Sequence, residues 1–184
     1  MQTQTIDKIT QQSDKDFDLT QIINGEEVMS PSPFLKHQRI IRKMLRKIEQ
    51  HLDKNNFLGE VCISPLDVIF ADGSNRLQPD LLFIRKDNSV IAQDWIRGVP
   101  DMVCEIVSEG TLIKDTVTKK DIYERYKVPE YWIVMPEFKT IQIFALEDNK
   151  YILYSYAEID GIVKSKAIEG LQIDIKDIFF VDQA

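Results

Sequence analysis

The stretch "PDMVCEIVSEGTLIKDTVTKK", residues 100–120, decides the fold. Its first half, Met102-Val103-Cys104-Glu105-Ile106-Val107, is apolar at every position except Glu105. A strand buried on both faces reads as such a continuous run, whereas a strand with one wet face alternates. The segment is therefore expected at the centre of a sheet, with Glu105 inside it. An isolated buried carboxylate is costly, and the usual escapes are pairing, metal binding or a shifted pKa.

The second half explains what Glu105 meets. A helix is expected over 112–127, stopping before Pro129. Positions 112, 115, 116, 119, 122, 123 and 126 share one face of it, and Leu112, Ile122, Tyr123 and Tyr126 mark that face as buried. Asp115 and Lys119 lie on the same face, while Lys120, Asp121, Glu124 and Arg125 point to water. One acid and one base thus sit on the inward side of a helix that follows a strand with an inward acid. "EYWIVM" (130–135) reads as the next strand. The helix is then a crossover, and the fold an α/β mixed sheet flanked by helices.

Outward from this unit, "FLGEVCIS" (57–64), "DVIFA" (67–71) and "DLLFI" (80–84) read as strands separated by Gly, Pro, Asp and Asn. In "FLKHQRIIRKMLRKIEQHL" (34–52), Ile40, Ile41, Met44, Leu45, Ile48 and Leu52 recur at helical spacing with basic residues opposite. "IINGEEVMSPSPF" (22–34) offers a turn at Asn24-Gly25 between short extended segments, stopped by Pro31 and Pro33. "TIQIFALEDNKYILYSYAEIDGIVKS" (140–165) reads as a β-meander turning at Glu147-Asp148-Asn149 and Asp160-Gly161, and "LQIDIKDIFF" (171–180) closes the chain. Residues 1–18 read as a flexible lead-in to a single domain over 19–184.

Composition bounds the function. The 184 residues, 43% hydrophobic and 29% charged, suit one soluble domain with a real core. No apolar stretch approaches the roughly 18–20 residues that span a bilayer, and Met1-Gln2-Thr3-Gln4-Thr5 is no signal peptide, so a cytoplasmic protein without a membrane partner is expected. Cys62 and Cys104 lie in apolar strands and read as small buried hydrophobes, not as a disulfide or zinc site. A net charge of -7 argues against a protein that coats nucleic acid over its whole surface. A local basic groove stays open, because Lys36, Arg39, Arg42, Lys43, Arg46 and Lys47 fall within twelve positions. Such a face either follows a phosphate backbone or is merely solvated.

A further carboxylate matters here: Asp80 heads an apolar strand after Pro79. In the plain reading Glu105, Asp115 and Lys119 satisfy one another and Asp80 caps its own backbone. In the chemical one, Asp80 and Glu105 converge on a divalent hard cation while Lys119 steadies the anionic transition state of phosphate cleavage. Asp101 shares a strand face with Glu105, but four residues at ~3.3 Å each separate them by ~13 Å, too far for one metal with bonds of ~2.1 Å. Ser108 has no histidine near it in sequence, which argues against a Ser-His hydrolase.

Asp80 after Pro79, Glu105 in its apolar strand, Asp115-x-x-x-Lys119-x-x-x-Tyr123 leading into "VPEYWIVMPE" (128–137), and the opening "INGEEVMSPSPFLKHQRI" (23–40) closely resemble the Uma-two family of restriction endonucleases, a branch of the PD-(D/E)XK nuclease superfamily. The resemblance implies a restriction-endonuclease-like core, here with an added C-terminal β-meander, and a Mg2+-dependent DNA endonuclease that hydrolyses phosphodiester bonds, with Mn2+ as a substitute. Asp80 and Glu105 would be the metal ligands and Lys119 the catalytic lysine. The superfamily's lysine stands two residues after the Glu, where this chain has Val107. Glu26, His37, Asp115 and Tyr123 would be accessory, and Arg39, Arg42, Lys43 and Arg46 would contact nucleic acid. Ser108-Glu109-Gly110-Thr111 replaces the family's usual Ser-Pro-Ser-Thr, and Met135 its usual Asp. Cutting both strands would call for a homodimer. The rival expectation is a non-catalytic nucleic-acid-binding or protein-interaction module that keeps the fold.

Overall fold

Two faces of one sheet are covered, which is why its central strands are apolar at every position. The computed structural model describes residues 19–29, 34–56 and 58–180; the lead-in, Pro31 and Pro33 lie outside the described residues. The main sheet has six strands. They are β3 (Gly59–Ile63), β6 (Leu81–Arg85), β8 (Met102–Ile106), β9 (Glu130–Met135), β10 (Thr140–Glu147) and β11 (Lys150–Glu158), in the order β11-β10-β9-β8-β6-β3. Only β8 and β9 run parallel. β8 is central, as its continuous apolar run predicts.

Alternate residues serve opposite faces. Leu81, Phe83, Met102, Cys104, Ile106 and Trp132 pack under α1 (Leu35–Lys54), which presents Ile40, Ile41, Met44, Ile48 and Leu52. Leu82, Ile84, Val103, Tyr131 and Ile133 face the other way, against Ile122 and Tyr123 of α2 (Lys120–Arg125) and against a smaller sheet. That sheet comprises β1 (Thr20–Ile23), β2 (Glu26–Met29), β4 (Val68–Ile69), β5 (Arg76–Leu77) and β7 (Ile96–Arg97), in the order β2-β1-β5-β4-β7. The Asn24-Gly25 turn joins β1 to β2, with both residues at positive φ. Gly59 lets β3 lie close on β6: a Cβ there would strike the Ile84 carbonyl oxygen.

The crossover from β8 to β9 is not the uniform helix that the periodicity suggests. A short 3₁₀ turn at Glu109–Thr111 precedes a π-helical turn, Lys114–Lys119, which runs into α2. Leu112, expected to be buried, is exposed for this reason: it lies before the helix takes its final phase. The Tyr131 hydroxyl donates to the Asp115 carbonyl oxygen at 2.7 Å, tying the wide turn to β9.

The expected meander divides. β10 and β11 form a hairpin on the edge of the main sheet, while β12 (Ile162–Lys164) pairs with β13 (Gln172–Asp174) in a sheet of their own, followed by α3 (Ile175–Phe179). Glu130 anchors this C-terminal part. Fully buried, it accepts hydrogen bonds from Trp132 Nε1 (2.6 Å), Ser165 Oγ (2.6 Å), Lys166 N (2.5 Å) and Ala167 N (3.1 Å). Both cysteines are free. Among the described residues no helix is long and apolar enough to cross a membrane.

Candidate active site

Antiparallel pairing of β6 with β8 sets Leu81 opposite Cys104, so one step further Asp80 stands opposite Glu105. Both carboxylates fall on the sheet face that α2 covers. Two protein groups hold Asp80 Oδ2: the Ile106 backbone N–H at 2.7 Å and His37 Nε2 at 3.1 Å. A carboxylate only accepts, so Nε2 carries the hydrogen. His37 thereby brings the first turn of α1 to the site.

Glu105 answers the cost of its burial by pairing. Its Oε1 accepts from Lys119 Nζ at 2.8 Å and from the Tyr123 hydroxyl at 2.9 Å. Lys119 and Glu105 side chains are each 3% exposed. Asp115 Oδ1 lies 3.6 Å from the same ammonium and is buried with no hydrogen-bond partner among the described residues. Two carboxylates therefore share one lysine. Burial pushes Glu105 up to about 8, with Lys119 opposing the rise and Asp115 and Asp80 adding to it. Burial raises Asp115 as well. For Lys119 burial disfavours the charge, but Glu105 and Asp115 outweigh it and hold the ammonium above the ordinary lysine value.

These groups lie along one open cleft of about 840 Å³, whose lining includes His37, Asp80, Glu105, Ser108, Asp115 and Lys119. Residues 80, 105 and 119, distant in sequence, share it. Tyr123 stands behind Glu105, buried. Glu26 does not join them: it is exposed at the start of β2 and is no part of the cleft lining. Asp101 is engaged elsewhere, accepting from the Arg85 N–H (2.8 Å) and Asn88 Nδ2 (2.9 Å) and pairing with the Arg85 side chain (3.0 Å).

The basic face of α1 is divided. Lys43 donates to the Phe180 carbonyl oxygen and Lys47 pairs with Asp177 at 2.5 Å, so these two hold the C-terminal segment. Lys43 is thereby taken up as an internal tie. Arg39, Arg42 and Arg46 are exposed along one stripe. Phe34 and Lys114 are among the cleft residues that sequence reasoning does not single out. Phe34 reads as an ordinary apolar residue at a helix start, and Lys114 as a solvated charge.

The donor set is tested against a hard divalent cation by what its oxygens already do. Both protein bonds to Asp80 meet Oδ2, and both to Glu105 meet Oε1, which leaves each carboxylate a second oxygen. Cys104 turns to the opposite face, so no thiolate intrudes. Among the described residues no group of three or more His, Cys, Asp or Glu side chains is placed to hold a metal. Such a site fits Mg2+, which keeps several waters and binds one or two carboxylates plus substrate phosphate, better than a metal needing an all-protein cage.

Comparison with known proteins agrees with this fold. A solved structure titled as a putative nuclease belonging to DUF820, from Anabaena variabilis, superposes with a TM-score of 0.72 at 18% identity, covering 87% of this chain and 89% of that one. Among curated proteins none matches. Residues 4–176 match the family Uma2, described as "Putative restriction endonuclease". The central apolar strand, the crossover and the cleft they build are those of a chain that belongs to the Uma2 family.

Proposed function

We propose that this protein is a divalent-metal-dependent DNA endonuclease that hydrolyses phosphodiester bonds, using Mg2+ with Mn2+ as a substitute. The observation that supports it is the meeting of Asp80, Glu105 and Lys119, from three separate segments, in one open cleft. In this reading Asp80 and Glu105 hold the cation through the oxygens that their protein partners leave. A bound cation would supply positive charge at the phosphoryl oxygens and would acidify a water. His37 orients Asp80, and the Tyr123 hydroxyl orients Glu105. Lys119 pairs its ammonium with the anionic phosphoryl group, steadied on its other side by Asp115. Arg39, Arg42 and Arg46 offer a salt-sensitive phosphate track along α1. A homodimer in the cytoplasm, carrying two such clefts, would cut both strands.

The second reading, a non-catalytic nucleic-acid-binding or protein-interaction module, draws on how completely Glu105 and Lys119 satisfy each other as they stand. Two measurements separate the readings. Mg2+ or Mn2+ is expected to raise the thermal midpoint, and Glu105→Gln to remove that response; a midpoint indifferent to metal supports the module. Supercoiled plasmid is expected to be nicked with Mg2+ and not in EDTA, with Asp80→Asn and Lys119→Ala each lowering the rate by about a hundredfold or more. Nicking that survives both substitutions assigns the chemistry to other residues.

A further inference from the structure

The cleft holds an aromatic side chain that the nuclease reading leaves without a task. Phe34 is 77% exposed and lines the same cleft as Asp80, Glu105 and Lys119. It occupies the N-cap position of α1 and makes no side-chain cap. Three residues further on, His37 touches Asp80 at 3.1 Å, so Phe34 lies about one helical turn from a residue in contact with the carboxylate pair. A single exposed apolar side chain needs no explanation by itself. Its position at the mouth of a cleft that carries a carboxylate pair and a lysine does.

The charges around that mouth are balanced. Lys36 and Lys114 line the cleft, and so do Glu109 and Glu137. Lys36 pairs with Glu137 at 2.6 Å, both exposed. Exposed pairs of this kind contribute little, so the lysine is free to exchange its carboxylate for a phosphate. Binding to a continuous duplex draws chiefly on many phosphate contacts. This mouth offers few net positive charges, and the chain as a whole carries -7. The buried floor poses a second difficulty for a duplex, because Glu105 and Lys119 are each 3% exposed and a phosphate must descend to reach them. An unpaired strand is flexible enough to do so, and its bases can stack on an aromatic ring, a contact worth about tenfold or more in affinity per base.

We propose that the cleft accepts a strand presented unpaired, with the Phe34 ring stacking on the base next to the phosphate that reaches Asp80, Glu105 and Lys119, and with Lys36 and Lys114 contacting neighbouring phosphates. The inference rests on the nuclease reading of this cleft and narrows its substrate to single-stranded or locally opened DNA. Opening a paired site costs stacking and pairing energy that an already unpaired strand does not require.

The test is fluorescence anisotropy in EDTA, with a short labelled oligothymidylate and a duplex of the same length as probes. The strand is expected to bind about tenfold tighter than the duplex or better, Phe34→Ala to weaken strand binding by about tenfold with little effect on the duplex, and Phe34→Trp to restore it. Phe34→Leu, which keeps bulk without the aromatic face, is expected to behave as Phe34→Ala does. Equal affinity for both probes overturns the proposal. Unchanged strand affinity in Phe34→Ala does so too, and if that variant also melts earlier, the ring belongs to internal packing. Because no cleavage occurs in EDTA, the two readings fail separately. Strand binding that depends on Phe34, without Mg2+-dependent nicking, keeps this inference and removes the nuclease. Nicking of opened and duplex DNA alike, indifferent to Phe34, does the reverse.

Discussion

Burial of the Glu105 carboxyl makes the stability of the metal-free protein fall as pH rises. Glu105 has its pKa pushed up to about 8 in the folded chain, against an ordinary 4.5 once unfolded. Between those values the folded state binds a proton that the unfolded state has released, so alkali favours unfolding. Each pH unit inside the window costs about 1.4 kcal/mol, and the whole window about 5 kcal/mol. Below pH 4.5 the penalty is absent; above pH 8 it is complete. Lys119 stays charged throughout, since its own pKa lies above the ordinary lysine value. For a domain of this size the slope corresponds to about 3–5 °C in thermal midpoint per pH unit. The assay is a series of thermal melts from pH 5 to 8.5 in EDTA, wild type against Glu105→Gln. The difference between the two slopes isolates Glu105, because the rest of the chain is common to both. Asp115 is raised for the same cause, burial, so the variant keeps a remnant of the slope. Parallel slopes in the two proteins would mean that Glu105 is ionised at neutral pH, and the account of a carboxyl held neutral by burial would be wrong.

The remaining expectations concern the packing that holds the cleft. Lys119→Met should lower stability by about 3–5 kcal/mol in urea titrations at about pH 9, where Glu105 is ionised, because it strands Glu105 and Asp115. Adding Glu105→Gln should recover much of that loss, and a double variant no better than the single one contradicts the pairing. Glu130→Ala should cost about 3 kcal/mol or more, since four donors lose their acceptor and Trp132 Nε1 is left unpaired in the core. Tryptophan fluorescence during denaturation reads this directly, and a loss under about 1 kcal/mol would mean that water replaces the carboxylate. Gly59→Ala should cost about 2–3 kcal/mol by driving β3 off the Ile84 carbonyl. A circular-dichroism midpoint within about 2 °C of wild type, less than 1 kcal/mol in a domain of this size, would show that β3 can shift without loss.

Much of the site was legible in the chain because its oddities are local. A charge inside "MVCEIV" and an acid and base on the buried side of "DTVTKKDIY" break patterns that a few residues define. β8 at the centre and α1 as an amphipathic cover followed from periodicity in the same way. What the sequence hid depends on long range. Glu130 also interrupts an apolar strand, but its partners at 165–167 lie 35 to 37 residues away with no spacing to announce them. β5 and β7 are two-residue strands, too short to show alternation, so the second sheet could not be assembled from pattern alone. Glu26 fits a motif by its place in the chain, yet the β1–β2 turn carries it away from the cleft. Lys43 looked like its arginine neighbours, and only the return of the C-terminal segment gives it a different partner.

The wide turn over Lys114–Lys119 sets the spacing of the acid and base on the crossover. A π-helical turn spends one more residue than an α-helical one to cover the same arc. Deleting a single residue there would let the hydrogen-bond ladder close in the commoner register over the same arc, so the segments on either side would keep their phase. Taken from positions 116–118, the deletion would set Asp115 three residues before the lysine instead of four, and the carbonyl that Tyr131 caps would no longer lie on a wide turn. Exposed positions such as Ile113 and Val117 can vary in identity at little cost, whereas a change of length alters the spacing of the acid and base that the segment carries.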